Sequence, residues 1–198
     1  MASEPLVLGF DTSAAHCAAA LLRGDAVLAS RLEEMSRGQA ERLVPLLEEV
    51  LAEGGAAWAG LDAIGVGIGP GNFTGIRIAV SAARGLALGL EVPVVGVDGF
   101  EARAAEGTLP AVPAPRDQVY AALPGEAPRL MPRQEAEDAA RGAGLACAPE
   151  ASPAGIAEAI ARIAAGRFQT VTEPPAPLYL RAADAAPSSD VPPALIDE

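Results

Sequence analysis

The segment Gly69-Pro-Gly-Asn-Phe-Thr-Gly-Ile-Arg77 constrains the fold of this chain more than any other stretch. It separates an apolar run at 62–68 from an apolar stretch reaching residue 90. The run reads as a strand, and the stretch repeats at helical spacing. Glycines at 69, 71 and 75 allow a sharp reversal and close backbone approach. Asn72 or Thr74 can cap the helix that follows, and the N–H groups there could receive an anion. The segment is not a dinucleotide fingerprint, because Thr74 stands at the third glycine position of G-x-G-x-x-G, and no P-loop lysine follows it.

The chain before this turn supplies the rest of a sheet. Residues 6–10 form a short apolar run ended by the polar turn Asp11-Thr-Ser13. Strands at 16–22 and 26–32 flank Arg23-Gly-Asp25, a hairpin signal. At 39–53 the period becomes helical, and Gly54-Gly55 stops that helix; Pro45 lies inside it. Residues 92–97 read as a buried strand and 99–105 as the start of another helix. The order β-β-β-α-β-α-β-α describes an α/β mixed sheet with helices on its faces, as in a ribonuclease-H-like half-domain.

From residue 107 onward prolines divide every candidate element. Short strands are expected at 118–123 and 145–148, and helices at 133–141 and 153–167. The expected organisation is a first lobe over 1–106, a small degenerate second lobe over 107–172, and a Pro-rich tail over 173–198.

Composition narrows the chemistry. The 198 residues carry a net charge of −12, which disfavours direct binding of a phosphate backbone. All 14 basic residues are Arg, so Schiff-base chemistry and a lysine general base are absent. His16 is the only histidine, and Cys17 and Cys147 belong to no metal-binding spacing, so metal and Ser-His-Asp catalysis are not expected from this chain. The N-terminal residues have no basic leader, and the expectation is a cytoplasmic protein with no membrane span.

Two helices carry the strongest hint of an interface. Leu43, Val44, Leu46, Leu47, Val50 and Leu51 form a wide apolar arc on the first. On the second, Ile76, Val80, Ala83, Ala87 and Leu90 suit a sheet. Gly75, Ala79, Ala82, Leu86 and Gly89 make another face of mostly small residues, where a helix can approach closely. Packing between these two helices fits that face, and so does a helix bundle with another subunit. The breadth of both arcs favours the bundle. Leu43, Leu47, Val50, Gly75, Ala79, Ala82 and Leu86 are therefore the expected partner-binding residues. An arginine at Ala79 is expected to block the seam without unfolding the chain.

Leu8-Gly-Phe-Asp-Thr-Ser13, Arg42-Leu-Val-Pro45, the 69–77 segment, Arg84-Gly-Leu-Ala-Leu-Gly89, Val94-Val-Gly-Val97 and Pro177-Leu-Tyr-Leu-Arg181 together closely resemble the TsaB (YeaZ) family. The resemblance implies an actin-like, two-lobed fold with a reduced second lobe. It implies a non-catalytic partner of a TsaD-type transferase, with a TsaE-type ATPase, in making threonylcarbamoyladenosine beside the tRNA anticodon. It further implies a homodimer in the partner's absence and tRNA contact only through the complex. ATP or ADP and metal would sit on the partner subunits, with no cofactor on this chain.

The chain departs from the family where Gln39 replaces a frequent histidine. Val112-Pro-Ala-Pro-Arg116 also replaces the second phosphate loop of actin-like ATPases. Asp11, Thr12, Ser13, Gly71, Asn72 and Thr74 are then a vestigial nucleotide or anion site. The competing expectations are an actin-like phosphotransferase using Asp11 and the glycine turn, and a peptidase.

Overall fold

The structure, a computed structural model, describes residues 4–180 apart from Pro124 and residues 148–152. Arg181, most of the expected tail and the end of the expected 145–148 strand lie outside the described residues.

Three antiparallel strands come first: β1 (Leu6–Asp11), β2 (His16–Arg23) and β3 (Ala26–Glu34). The helix α1 (Gln39–Glu53) follows, then β4 (Ala63–Gly67), α2 (Phe73–Leu90) and β5 (Val94–Val97). The sheet order is β3-β2-β1-β4-β5, with β4 parallel to both β1 and β5. Every residue of β1 and β4 is buried, so both faces of the sheet centre must be covered. The helix expected at 99–105 shrinks to a single 3-10 turn, Glu101–Arg103, where Asp98 Oδ1 accepts from the N–H groups of Phe100 and Glu101.

On one face α1 and α2 lie side by side. Leu43, Leu46, Leu47, Val50, Leu51, Ala79 and Ala83 meet Leu8, Phe10, Ala19, Leu21, Ile64 and Val66 there. Pro45 is tolerated in the first turns of α1, on the side facing solvent. The other face is covered by α4 (Pro153–Arg167), whose Ile156, Ala157, Ile160, Ala161 and Ala164 pack on Val7, Ala18, Ala20, Leu22, Ala63, Val95 and Val97.

This corrects the sequence expectation, which assigned 153–167 to the second lobe. The strands are buried on both sides, and α4, with Ala102, Phe168 and Val171 at its margins, supplies the apolar surface for the second side. Arg167 at its end donates to Gly96 O at 2.6 Å and pairs with Glu101, whose carboxyl it holds below the usual carboxylate range.

Between these elements lies a smaller unit. β7 (Ala111–Ala114), β8 (Gln118–Ala121) and β9 (Arg129–Pro132) form an antiparallel sheet. The helix α3 (Arg133–Gly142) packs on it, and β6 (Thr108–Leu109) pairs with β10 (Ala146–Cys147). Its core is Leu109, Ala111, Val119, Ala121, Met131, Ala136 and Ala140. The Val112-Pro-Ala-Pro-Arg116 stretch is strand β7 entering a hairpin, with Arg116 and Asp117 both at positive φ.

Candidate functional site

The end of β1 and the start of α2 are locked together. Asp11 and Thr12 are buried, and Asp11 Oδ2 accepts three hydrogen bonds: from Ser13 N–H at 3.0 Å, Ser13 Oγ–H at 2.9 Å and His16 Nε2–H at 2.8 Å. A carboxylate only accepts, so His16 carries its proton on Nε2. Thr12 Oγ1 donates to Gly75 O at 2.7 Å, and Asn72 N–H donates to Ser13 O at 2.7 Å. A Cβ at Gly67 would overlap Asp11 Oδ1, one at Gly71 the Ser13 carbonyl, and one at Gly75 the Thr12 carbonyl. The glycines therefore admit the Asp-Thr-Ser turn itself.

Asn72 is the N-cap of α2, and its Oδ1 accepts from Gly75 N–H at 2.8 Å. Thr74, the other expected cap, is exposed inside the first turn. The residues expected to form a vestigial site are adjacent in space: Asp11, Thr12, Ser13, Gly71 and Asn72 all touch one another's turn, and Thr74 stands beside it. The cleft next to it, lined by Asp11, Ser13, Gly69, Gly99, Ile156 and Ile160, has a volume of about 10 Å³. That is about the room one water needs.

The expected partner-binding residues divide differently. Leu43, Leu47, Val50 and Ala79 are fully buried in the chain's own core, and Gly75 is buried against Thr12. These five cannot meet a partner in this fold, and an arginine at Ala79 would enter the core. The small-residue face of α2 exists because α1 lies against it on the same sheet. Ala82 and Leu86 remain half-buried, where the two helices open toward solvent.

The outward surface consists mostly of residues outside the expected partner-binding set, with Val44 and Gly89 at the margins of the two arcs read from periodicity. On α1 it shows Glu41, Val44, Pro45, Glu48 and Ala52; on α2, Thr74, Arg77, Ser81, Arg84, Gly85, Leu88 and Gly89. Leu88 is 83% exposed and Val44 40%. A Cβ at Gly85 or Gly89 would meet nothing within 4 Å. The available signal was Leu88 itself, four residues after Arg84 and seven after Ser81, a leucine continuing a polar stripe. By length and apolarity α2 could cross a membrane, yet Ile76, Ala79, Val80, Ala83 and Ala87 bury one side of it in a globular layer.

Charge on α1 is organised locally. Arg42 donates to both carboxylate oxygens of Glu33 and to both of Glu49, holding both acids below the usual carboxylate range. Beneath it, burial pushes the Cys17 thiol up to about 11, an inert thiol near Met35.

This sheet order, with helices on both faces and an acid-ended first strand against a glycine turn, defines an actin-like, ribonuclease-H-like lobe carrying a small second unit. The family model of TsaD, tRNA N6-adenosine threonylcarbamoyltransferase, matches residues 32–127. A tRNA threonylcarbamoyladenosine biosynthesis protein TsaB of Haemophilus influenzae is 35% identical over 123 residues, 58% of this chain and 51% of that protein. An uncharacterized protein of Mycobacterium tuberculosis is 33% identical over 204 residues, covering 91% of this chain and 94% of its own length. The crystal structure of an uncharacterized protein with similarity to peptidase YeaZ from Pseudomonas aeruginosa matches at TM-score 0.69 and 28% identity, over 89% of this chain and all of that one. The chain belongs to the TsaB (YeaZ) family. The matched stretches span 39% to 54% of three curated TsaB proteins, about half their length.

Proposed function

We propose that this chain is a non-catalytic scaffold and activator subunit, acting in the cytoplasm with a TsaD-type transferase. The reaction is N6-threonylcarbamoylation of adenosine next to the tRNA anticodon, and docking is through the outward face of α1 and α2. The observation that carries this reading is that face: Leu88, Val44, Ala82 and Leu86 beside Gly85 and Gly89, whose empty surroundings leave room for another helix at close range. The match of the transferase family model to residues 32–127 supports a partner built on a related lobe, with a comparable helix pair to offer.

The non-catalytic part rests on how the polar groups are used. Asp11, Thr12 and Asn72 each spend a side-chain oxygen on the chain itself, and the adjoining cleft is only about the size of one water. ATP, metal and the TsaE-type ATPase then belong with the partner. The −12 charge leaves tRNA to the partner's surface as well. A homodimer through the same face is the form expected when the partner is missing.

Depleting the protein in its own organism and measuring tRNA nucleosides by mass spectrometry tests the role. Threonylcarbamoyladenosine should fall severalfold; an unchanged level would overturn it. Coelution of the full chain with its transferase, lost in Leu88→Arg, tests the face.

A further inference from the structure

Arg77 projects from the first turns of α2, exposed, over the Phe73 ring and beside the Tyr179 ring that packs against it. Its guanidinium carbon lies 3.9 Å from the centre of the Phe73 ring and 5.7 Å from that of Tyr179. The rings are 4.8 Å apart, inclined by 33°. Arg77 Nε donates to Tyr179 Oη at 2.8 Å, which fixes the rotation of the guanidinium plane.

Tyr179 arrives from 102 residues away in sequence. Leu178 N–H donates to Ile68 O at 2.8 Å, and Pro175 is buried against the α-carbon of Gly96. Residues 175–179 thus form a strap across the ends of β4 and β5 that lays a tyrosine on α2. Local sequence could not have placed it there.

Such an arrangement does more than pack. Stacking and the Nε bond immobilise a side chain that otherwise loses much rotamer freedom when it binds. The residue is exposed, the bond to Tyr179 uses only Nε, and among the described residues no carboxylate pairs with Arg77. A rigid, planar edge with parallel N–H donors matches one group best, a carboxylate taken in bidentate fashion. Arg77 also shares its stripe of α2 with Ser81, Arg84 and Leu88, so it stands at one end of the proposed docking face.

We infer that Phe73, Arg77 and Tyr179 form a preorganised anchor for a carboxylate of the partner subunit. The inference rests on the proposed docking face. A protein carboxylate is favoured over RNA phosphate because a body of net charge −12 repels a polyanion, whereas one desolvated acid can be met by one fixed arginine.

The test titrates the full chain against its TsaD-type transferase, with Arg77→Lys, Tyr179→Phe and Leu88→Arg in parallel. Arg77→Lys keeps the charge but loses the fork and the stacking geometry; binding should weaken about 10-fold, with unchanged melting of the isolated chain. Tyr179→Phe keeps the ring and removes the lock, and should weaken binding about 3-fold. Wild-type affinity for Arg77→Lys, with Leu88→Arg dead, overturns the anchor and leaves the face standing. Wild-type affinity for both overturns the face and the anchor with it. Fluorescence anisotropy with tRNA is the last arm: direct binding by the isolated chain that Arg77→Lys abolishes would assign the arginine to phosphate and overturn the carboxylate reading.

Discussion

The two faces of the central sheet use glycine in opposite ways. Under α4, a Cβ at Gly9 would strike the backbone of Ala157 and Ala161, and one at Gly65 would strike Ile160 and Ala164. On the far side of the molecule, Gly85 and Gly89 of α2 face open space. The first pair is explained by what the chain already contains. The second pair weakens an exposed helix, each glycine by roughly 0.5–1 kcal/mol relative to alanine, with nothing inside the chain in return. One face is finished; the other is where the proposed docking of a further helix would make use of the bare glycines.

The sharpest way to break this contrast is a pair of arginines. Ala79→Arg puts a charge into the α1–α2–sheet core and should abolish cooperative folding, a loss of several kcal/mol. Leu88→Arg, nine residues later on the same helix, should melt within about 0.5 kcal/mol of the parent while losing the transferase. Thermal unfolding of both, read beside coelution, checks the comparison. A stable Ala79→Arg would mean that the layer is not packed as described.

Next in size is Gly65→Ala. The added methyl must displace Ile160 or Ala164, so α4 has to move off the sheet. Overpacking of this kind costs about 1–3 kcal/mol. Denaturant unfolding reads it, and a neutral result would place α4 further from β4 than its contacts indicate. Asn72→Ala, which removes the cap of α2, should cost about 1 kcal/mol by the same measurement. The parent stability and slope at higher denaturant would show that Thr74 had taken over the cap.

The first lobe was legible because alternation and helical spacing are strong there, and β1, β2, α1, β4 and α2 stand within a residue or two of where patterning put them. The second unit was half legible for a reason visible in its sheet. Pro113 and Pro132 read as breakers, yet β7 and β9 are the two edges of a three-stranded sheet, where a missing N–H need not break the ladder. Helix α4 was found with its boundaries, but Ile156, Ile160 and Ile163 only say that one side is buried, not by which sheet. The expected partner residues were read too broadly for a similar reason. A wide arc on α1 looked too broad for one contact, but a helix lying on a sheet beside a second helix uses a broad arc internally. What is left for a partner is then the residue that breaks the polar stripe, Leu88, and the glycines without neighbours.

Gly85→Ala is the smallest change and the one that separates the two kinds of glycine most cleanly. In a finished protein, alanine at an exposed mid-helix glycine with nothing within 4 Å should raise stability by roughly 0.5–1 kcal/mol, seen as a higher melting temperature. On a docking face the same methyl holds a neighbouring helix away, so affinity for the transferase should fall as stability rises. Opposite signs in the two measurements are the signature of a surface kept bare for contact. If stability and affinity rise together, Gly85 lies outside the seam, and the close approach must be sought at Gly89, a further turn along α2.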